Sequence, residues 1–320
     1  MMASESKDRE DFSIPDLERS LRKPRTFISV FLSGFTSLVT IAAMFPLFSV
    51  LYMLIVRGGQ RLSREALTSL PPAGLDGGGG FGNAIIGTLV MVGIAAAISV
   101  PFGILAAIFL AELGPEFKTT SKNKFAQRWA AFVSKSASTV RFSAKVLTGF
   151  PSILAGVFAY TAVVLLTGGF SAVAGGIALS ILMLPTVMLT AEEAISMVPS
   201  KMREAAIGMG ATQTQTTWKV LLPTAMPGIL TGVMLAVARA AGETAPLLFT
   251  ALFSNRWITD SGEVDLMQPT ASLAVFIYNF SSSPFDNLVE LAWAASLVLV
   301  LLVLTINIIG QSFSKRVDTR

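Results

Sequence analysis

Arg239 and Glu243 stand four positions apart in a stretch that is otherwise apolar. On a helix this spacing is one turn, so the two side chains would lie on the same face. A charged side chain at the centre of a bilayer costs roughly 2.5 to 3.5 kcal/mol on insertion scales, so each should face a partner or a water-filled path rather than lipid. These two residues are therefore the first candidates for a binding function.

Two interpretations of this pair are open. In the first, the two charges neutralise each other and lock the packing of the helix. In the second, the planar guanidinium of Arg239 holds the charged oxygens of an oxyanion, while Glu243 accepts a hydrogen bond from an oxygen that is still protonated. Phosphate carries a P–OH group at neutral pH and sulfate does not, so the second interpretation favours phosphate.

The composition places the pair in a polytopic membrane protein. Hydrophobic residues make up 52% of the 320 residues and charged residues 14%, and the mean hydropathy is +0.66, which is outside the range of soluble domains. The chain has no Cys and no His, which excludes disulfides, histidine-based metal sites and histidine acid–base catalysis. We expect no catalytic residue, no metal, no cofactor and no nucleic-acid partner.

Six largely apolar runs are long enough to span a membrane, for which about 20 residues are needed. They are Phe27 to Val56, Asn83 to Leu113, Val140 to Leu166, Val173 to Val198, Ala225 to Phe253 and Leu288 to Gly310. Counted over the loops, 19 Lys and Arg residues fall on the side of the two termini and four on the other side. The sequence thus predicts an all-α membrane protein with six transmembrane helices and both termini in the cytosol.

This topology divides the chain into three parts. Residues 1–26 are predicted to form a cytosolic N-terminal tail, residues 27–310 a transmembrane domain with a cytosolic loop at 199–225, and residues 311–320 a cytosolic C-terminal tail. On the external side, the stretch PPAGLDGGGGFGN from Pro71 is predicted to be a flexible linker. The acidic external loop from Ser254 to Asp286 either meets a partner or is simply solvated.

The connection between the second and third runs has helical periodicity. Aromatic and apolar residues share one face and basic residues take others: Phe125, Trp129, Phe132 and Val133 against Lys124, Arg128 and Lys135. This pattern predicts a short helix that lies on the cytosolic surface of the membrane.

The cytosolic loop at 199–225 has an ordered spacing. Glu204, Ala205 and Ala206 are followed after three residues by Gly210, and then after nine residues by Val220, Leu222 and Pro223. The composition predicts one short helix over 201–209, a turn at the glycines, and a second helix over 213–221. Pro223 and Pro227 should break that second helix and start the next membrane helix. The alternative is a plain cytosolic connection that happens to be helical.

The pattern EAA, three residues, G, nine residues, I, one residue, LP is the signature of membrane subunits of binding-protein-dependent ABC importers. This chain resembles it, with Val220 in the place of the usual Ile. The run ARAAGETAPLLFT from Ala238 is similar to that of the PstA-type phosphate permeases, and so are GFPSILAGVFAY from Gly149 and QPTASLAVFIYNFSSSP from Gln268. The resemblance covers most of the chain from Gly78 onward.

This resemblance implies a type I ABC importer permease (MetI-like) fold in a bacterial inner membrane. It further implies a PstC-like permease partner, a dimer of PstB-like ATPase subunits and an external phosphate-binding protein. In such importers the loop enters a cleft of the ATPase. This chain has no GxxxxGK[ST] phosphate loop of its own, so ATP hydrolysis is expected in the partner subunit. Arg239 and Glu243, and after them Arg141, are the residues that the resemblance assigns to the phosphate path.

Other classes of transporter remain as alternatives. A permease for another oxyanion, such as molybdate or sulfate, would share the ordered loop but should lack the GETAPLLF run. An ATPase-independent channel or secondary transporter would have no need of the ordered loop. In every case the chain is expected to be a transport subunit and not an enzyme.

Overall fold

The computed structural model describes residues 24–73, 77–113, 124–259 and 262–318, and within these ranges the regular secondary structure is helical. The chain divides into two units, Met1–Met53 and Leu54–Arg320. The described part of the first unit is one helix, α1 (Pro24–Met53). It is apolar along its length, and the hydroxyls of Thr36 and Thr40 donate to backbone carbonyls one turn earlier, so these two polar groups are satisfied within the helix. Most of the predicted N-terminal tail lies outside the described residues.

The second unit opens with a π-helical turn, Leu54–Gly58, and a short turn, Gly59–Arg61. Its α-helices, in chain order, are α2 (Arg64–Thr68), α3 (Gly82–Leu113), α4 (Lys124–Thr148), α5 (Ser152–Ala159), α6 (Ala172–Ser196), α7 (Ser200–Gly208), α8 (Gln213–Thr216), α9 (Leu222–Ala241), α10 (Ala245–Leu248), α11 (Leu273–Ser281) and α12 (Asp286–Asp318). Two further π-helical turns, Tyr160–Val164 and Thr217–Leu221, extend α5 into the short helical turn Leu165–Thr167 and join α8 to α9.

The core of this unit is built around α6, which packs along both α3 and α9. Glycines allow the backbones to approach closely, as is common between membrane helices. A Cβ at Gly176 on α6 would lie 2.5 Å from Cγ2 of Ile94 on α3, and a Cβ at Gly232 on α9 would lie 2.0 Å from Oγ1 of Thr190 on α6. Helix α6 is therefore clamped from two sides at positions where only glycine fits.

The predicted fold class is confirmed: five described helices are long and apolar enough to span a membrane, or six if one bent pair is counted as a single span. The bent pair corrects the third predicted run, Val140 to Leu166. Its first part belongs to α4, which ends at Thr148, and α5 begins at Ser152 after a bend of 108°. Pro151 precedes α5 and disfavours helical backbone at Phe150, so the helix cannot continue through this point. The short surface helix predicted near 125–133 is the beginning of the same 25-residue helix α4.

The fifth predicted run, Ala225 to Phe253, is also divided differently from the prediction. The helical path begins at Gln213 and is one span to Ala241, so the predicted break at Pro223 and Pro227 is wrong. The π-helical turn absorbs Pro223, since the N–H of Leu222 bonds to the carbonyl of Thr217, five residues earlier. The break comes instead after Ala241, because in a continuous helix the ring of Pro246 would clash with the carbonyl of Gly242.

Both connections that were predicted to be external contain packed residues. Phe81, at the end of the predicted flexible linker, is fully buried, and its ring lies 5.6 Å from that of Phe276. Phe276 belongs to α11, a helix within the predicted 254–286 loop that packs against α12. The side-chain amide of Asn83 donates to the carbonyl of Ser254 at 2.8 Å, which ties the two connections together.

Candidate functional site

Arg239 and Glu243 are in contact at the broken end of α9. The Nε atom of Arg239 lies 3.4 Å from Oε1 of Glu243, so the predicted contact across four residues is present. Glu243 itself lies outside the helix, because α9 ends at Ala241. The N–H of Glu243 bonds to the carbonyl of Ala240, only three residues earlier, at 3.2 Å. The prediction that both residues lie on one continuous helix is therefore wrong.

The two side chains differ in exposure. The side chain of Arg239 is 43% exposed and that of Glu243 is 16% exposed. Arg239 also occupies the last turn of α9, where unpaired carbonyls favour a cation. The contact with Glu243 is long and engages one nitrogen, which leaves most of the donors of the guanidinium directed elsewhere. This arrangement can present a positively charged donor fork beside a shielded acceptor.

The segment that holds Glu243 is fixed from two sides. A Cβ at Gly156 on α5 would lie 2.7 Å from Cα of Pro246, so the backbones of α5 and α10 are in direct contact. Leu247 is almost fully buried, and it approaches the position that a Cβ of Gly175 on α6 would take. The break in the helical path is therefore a packed feature of the bundle.

Arg141 lies in a different place. Its Nε donates to Oε1 of Glu192 on α6 at 2.7 Å, a second nitrogen contacts the same oxygen, and Nη2 donates to the carbonyl of Leu110 on α3 at 3.3 Å. Helix α9 runs antiparallel to α6, because Gly228 lies against Ala194 and Gly232 lies against Thr190. Arg239 is therefore level with about residue 183 of α6. At about 1.5 Å per residue, Arg141 is displaced from it by roughly 14 Å along the helix axis. The structure does not bring Arg141 to the Arg239–Glu243 pair.

The predicted helix-turn-helix of the loop is present as α7, a turn and α8. Gly210 makes the turn with φ +87°, a conformation that other residues adopt only with strain. Thr212 caps α8, and the side chain of Gln215 bonds back to the N–H of Thr212. The exposed side includes Glu204, Ala205, Gly210 and Pro223, whereas Ala206 is buried and Val220 and Leu222 are partly buried. Met209, at the tip, is 83% exposed.

An ion pair ties this loop to the membrane helices. Arg203 on α7 donates to Oε1 of Glu112 near the end of α3 at 2.7 Å. Neither this pair nor the pairing of Arg141 with Glu192 was found from the sequence. The available signal was that Glu112 is an acidic residue at the end of an otherwise apolar run.

These features define the class: a helical membrane protein with a broken membrane helix, an internal charged pair and an exposed helix-turn-helix. The model of the family "Binding-protein-dependent transport system inner membrane component" matches residues 103–320. The chain is 37% identical over 294 residues, 92% of this chain and 91% of the relative, to the phosphate transport system permease protein PstA of Yersinia pestis. It is 38% identical to the PstA protein of Haemophilus influenzae, over 88% of this chain and 91% of that protein.

Among solved structures, the fold is similar to that of a bacterial alginate ABC transporter in complex with a periplasmic protein that binds an alginate pentasaccharide. The TM-score is 0.59 at 15% identity, over 92% of this chain and 97% of that chain. The chain belongs to the PstA family of permease proteins. It is therefore a multi-pass inner-membrane transport component of the ABC type and not an enzyme, and such a component works with ATPase and binding-protein partners.

Proposed function

We propose that this chain is the permease subunit of an ATP-driven phosphate importer and that phosphate passes the Arg239–Glu243 pair. The observation that carries the proposal is the half-exposed Arg239 beside the shielded Glu243 at a break in a membrane helix. A charge in the membrane is otherwise expected to be fully paired or excluded. The identity to phosphate permease proteins supports phosphate as the anion.

The chemistry of the pair suits a partly protonated oxyanion. Arg239 offers parallel N–H donors that match two phosphate oxygens in geometry and charge. Glu243 accepts the hydrogen bond of the remaining P–OH group, and the same carboxylate repels sulfate, which has no proton to donate. We include Arg141 as a path residue near the inner end of the bundle, where its guanidinium is held by Glu192.

The loop at 199–225 is proposed to be the contact with the ATPase. Glu204 and Met209 form an exposed charged and apolar surface that a cleft in a soluble subunit can enclose. Because Gln213–Ala241 is one helical span, displacement of α8 is transmitted along a rod that ends two residues beyond Arg239. Closure of an ATPase dimer would therefore move the anion site directly.

The assembly and topology complete the proposal. A PstC-like chain forms the other wall of the path, a PstB-like dimer hydrolyses ATP, and an external binding protein delivers phosphate. Residues 1–26 and 311–320 are cytosolic tails of the permease domain at 27–310, because 19 of the 24 Lys and Arg residues fall on that side.

Uptake of radiolabelled phosphate by the reconstituted whole complex tests the path. Arg239→Ala and Glu243→Gln should each lower uptake at least about tenfold, the loss expected for about 1.4 kcal/mol or more of binding, while the complex still assembles. Matched controls are Arg64→Ala and Glu193→Gln, which change exposed residues outside the anion site and outside the loop at 199–225 and should leave uptake unchanged. Normal uptake with Arg239→Ala would exclude the path.

Co-purification tests the class of transporter. Glu204→Lys should weaken retention of the ATPase subunits, whereas Lys201→Gln on the same helix serves as the control. If the wild-type chain retains no ATPase at all, an ATPase-independent channel or secondary transporter is favoured instead.

A competition experiment tests the identity of the anion. If molybdate or sulfate at a concentration equal to that of phosphate reduces phosphate uptake, a permease for that other oxyanion is favoured.

A further inference from the structure

The charged side chains of helix α4 are all positive. Its 25 residues include five basic side chains and no acidic one: Lys124, Arg128, Lys135, Arg141 and Lys145. Arg141 is engaged by Glu192. The other four are exposed, and within the described residues no ion pair involves Lys124, Arg128 or Lys135. These cations are therefore available to an anionic partner.

The helix presents three distinct faces. Ala130, Val133 and Ala137 are buried and form the face against the bundle. At about 100° per residue, Lys124, Arg128 and Lys135 fall within an arc of roughly 40°, which we call the basic stripe. An aromatic stripe lies between the buried face and the basic stripe, and it is formed by the exposed side chains of Phe125, Trp129 and Phe132. The rings of Trp129 and Phe132 lie 5.9 Å apart.

The position of α4 is fixed relative to the ends of the membrane helices. Arg141 contacts the carbonyl of Leu110, which lies three residues from the end of α3. Arg203 contacts Glu112 at the same end. Helix α4 thus belongs to the end of the bundle that also carries the exposed loop α7–α8, and it leaves that end for α5 through the 108° bend.

We propose that α4 is a lipid-binding helix, in which the aromatic stripe enters the bilayer interface and the basic stripe binds the headgroups of anionic phospholipids. An apolar aromatic row beside a row of cations matches the boundary between acyl chains and charged headgroups. Trp and the long basic side chains are favoured at that depth. Each cation near an anionic membrane surface strengthens binding by about fivefold at moderate ionic strength. This binding surface is separate from the phosphate path, and its test does not depend on transport.

The test uses the purified full-length chain in detergent, titrated with phosphatidylglycerol or phosphatidylcholine, with bound lipids counted by native mass spectrometry. The wild type should prefer phosphatidylglycerol. The variant K124Q/R128Q/K135Q should lose at least about tenfold of this preference, since three cations are removed. The control K145Q/K201Q/K219Q removes the same charge from other exposed positions and should keep the preference. An equal preference in the wild type and the stripe variant, or an equal loss in the control, would overturn the proposal.

Two further measurements keep the proposal testable if the triple variant does not fold. The preference of the wild type should weaken as salt rises from about 0.05 to 0.5 M, because headgroup contacts are screened, and a preference that is unchanged by salt contradicts the proposal.

The second measurement uses fluorescence. The chain has no Cys, so a fluorophore can be attached at F132C alone. In vesicles of phosphatidylglycerol it should be quenched by lipids that carry a quencher near the headgroup. Absence of quenching, as expected if a protein chain covers this face, would refute lipid binding.

Discussion

Arg203 on α7 donates to Glu112 at the end of α3, with 2.7 Å between Nη2 and Oε1. The two partners are unequally buried: the side chain of Glu112 is 7% exposed and that of Arg203 is 40% exposed. Loss of the arginine would leave a buried carboxylate without a counter-charge, whereas loss of the carboxylate would leave an arginine that water can reach. The pair also connects the exposed loop to the membrane core, so its energy bears on coupling as well as on stability.

Arg203→Ala should destabilise the chain more than Glu112→Gln does. Removal of one partner of a buried ion pair costs about 3–5 kcal/mol, which we expect for the arginine variant. Glu112→Gln should cost about 1 kcal/mol or less, as for exposed pairs. Thermal unfolding of the purified chain in detergent measures the difference, and the double variant E112Q/R203A should recover part of the loss. Equal losses from the two single changes would contradict the unequal burial.

The turn between α7 and α8 depends on the backbone of Gly210. Its φ of +87° costs an L-residue roughly 1–2 kcal/mol, although a Cβ there would meet no atom within 4 Å. Gly210→Ala should therefore bend the loop out of its docking shape and lower ATPase retention roughly tenfold. Gly208→Ala is the control, because that position is helical and equally open. If both variants retain the ATPase equally, the left-handed turn has no part in docking.

The Gly156–Pro246 contact should position Glu243. A Cβ at residue 156 would stand 2.7 Å from Cα of Pro246, and backbone cannot yield as a side chain can. Gly156→Ala should therefore shift α10 and raise the KM for phosphate several-fold, with little effect on assembly, since overpacking costs about 1–3 kcal/mol. Gly149→Ala, where the nearest atom is at 3.6 Å, is the control. An unchanged KM in Gly156→Ala would separate α5 from the anion site.

The sequence predicts contacts between neighbouring residues of this protein well, and it predicts contacts between residues far apart in the chain poorly. The contact of Arg239 with Glu243 follows from a four-residue spacing, and Gly210 at the turn follows from the preference of glycine for positive φ. The pairs Arg141–Glu192 and Arg203–Glu112 join residues 51 and 91 positions apart. Hydropathy and periodicity do not indicate which distant residues meet, so only the packing of α4 against α6 and the position of α7 beside the end of α3 reveal these pairs.

The helix breaks show a second limit. Pro223, Pro151 and Pro246 each remove a backbone donor, yet the chain responds differently to each one. A π-helical turn carries the helix past Pro223, a bend of 108° forms before α5 at Pro151, and α9 ends ahead of Pro246, which lies in the first turn of α10. A proline strains a helix at its own position, and the packing of the neighbouring helices determines whether the helix ends there.

Removal of both charges of the anion site separates the two interpretations of Arg239 and Glu243. If the residues only neutralise each other, the single variant Arg239→Ala leaves an unpaired carboxylate, and R239A/E243Q should recover phosphate uptake because no unpaired charge remains. In the proposed path the double variant has lost its phosphate donor, so uptake should stay at least tenfold below wild type. Arg239→Lys should fall between, since lysine supplies the charge without the fork. Uptake normalised to assembled complex is the measurement, and recovery in the double variant would refute the path.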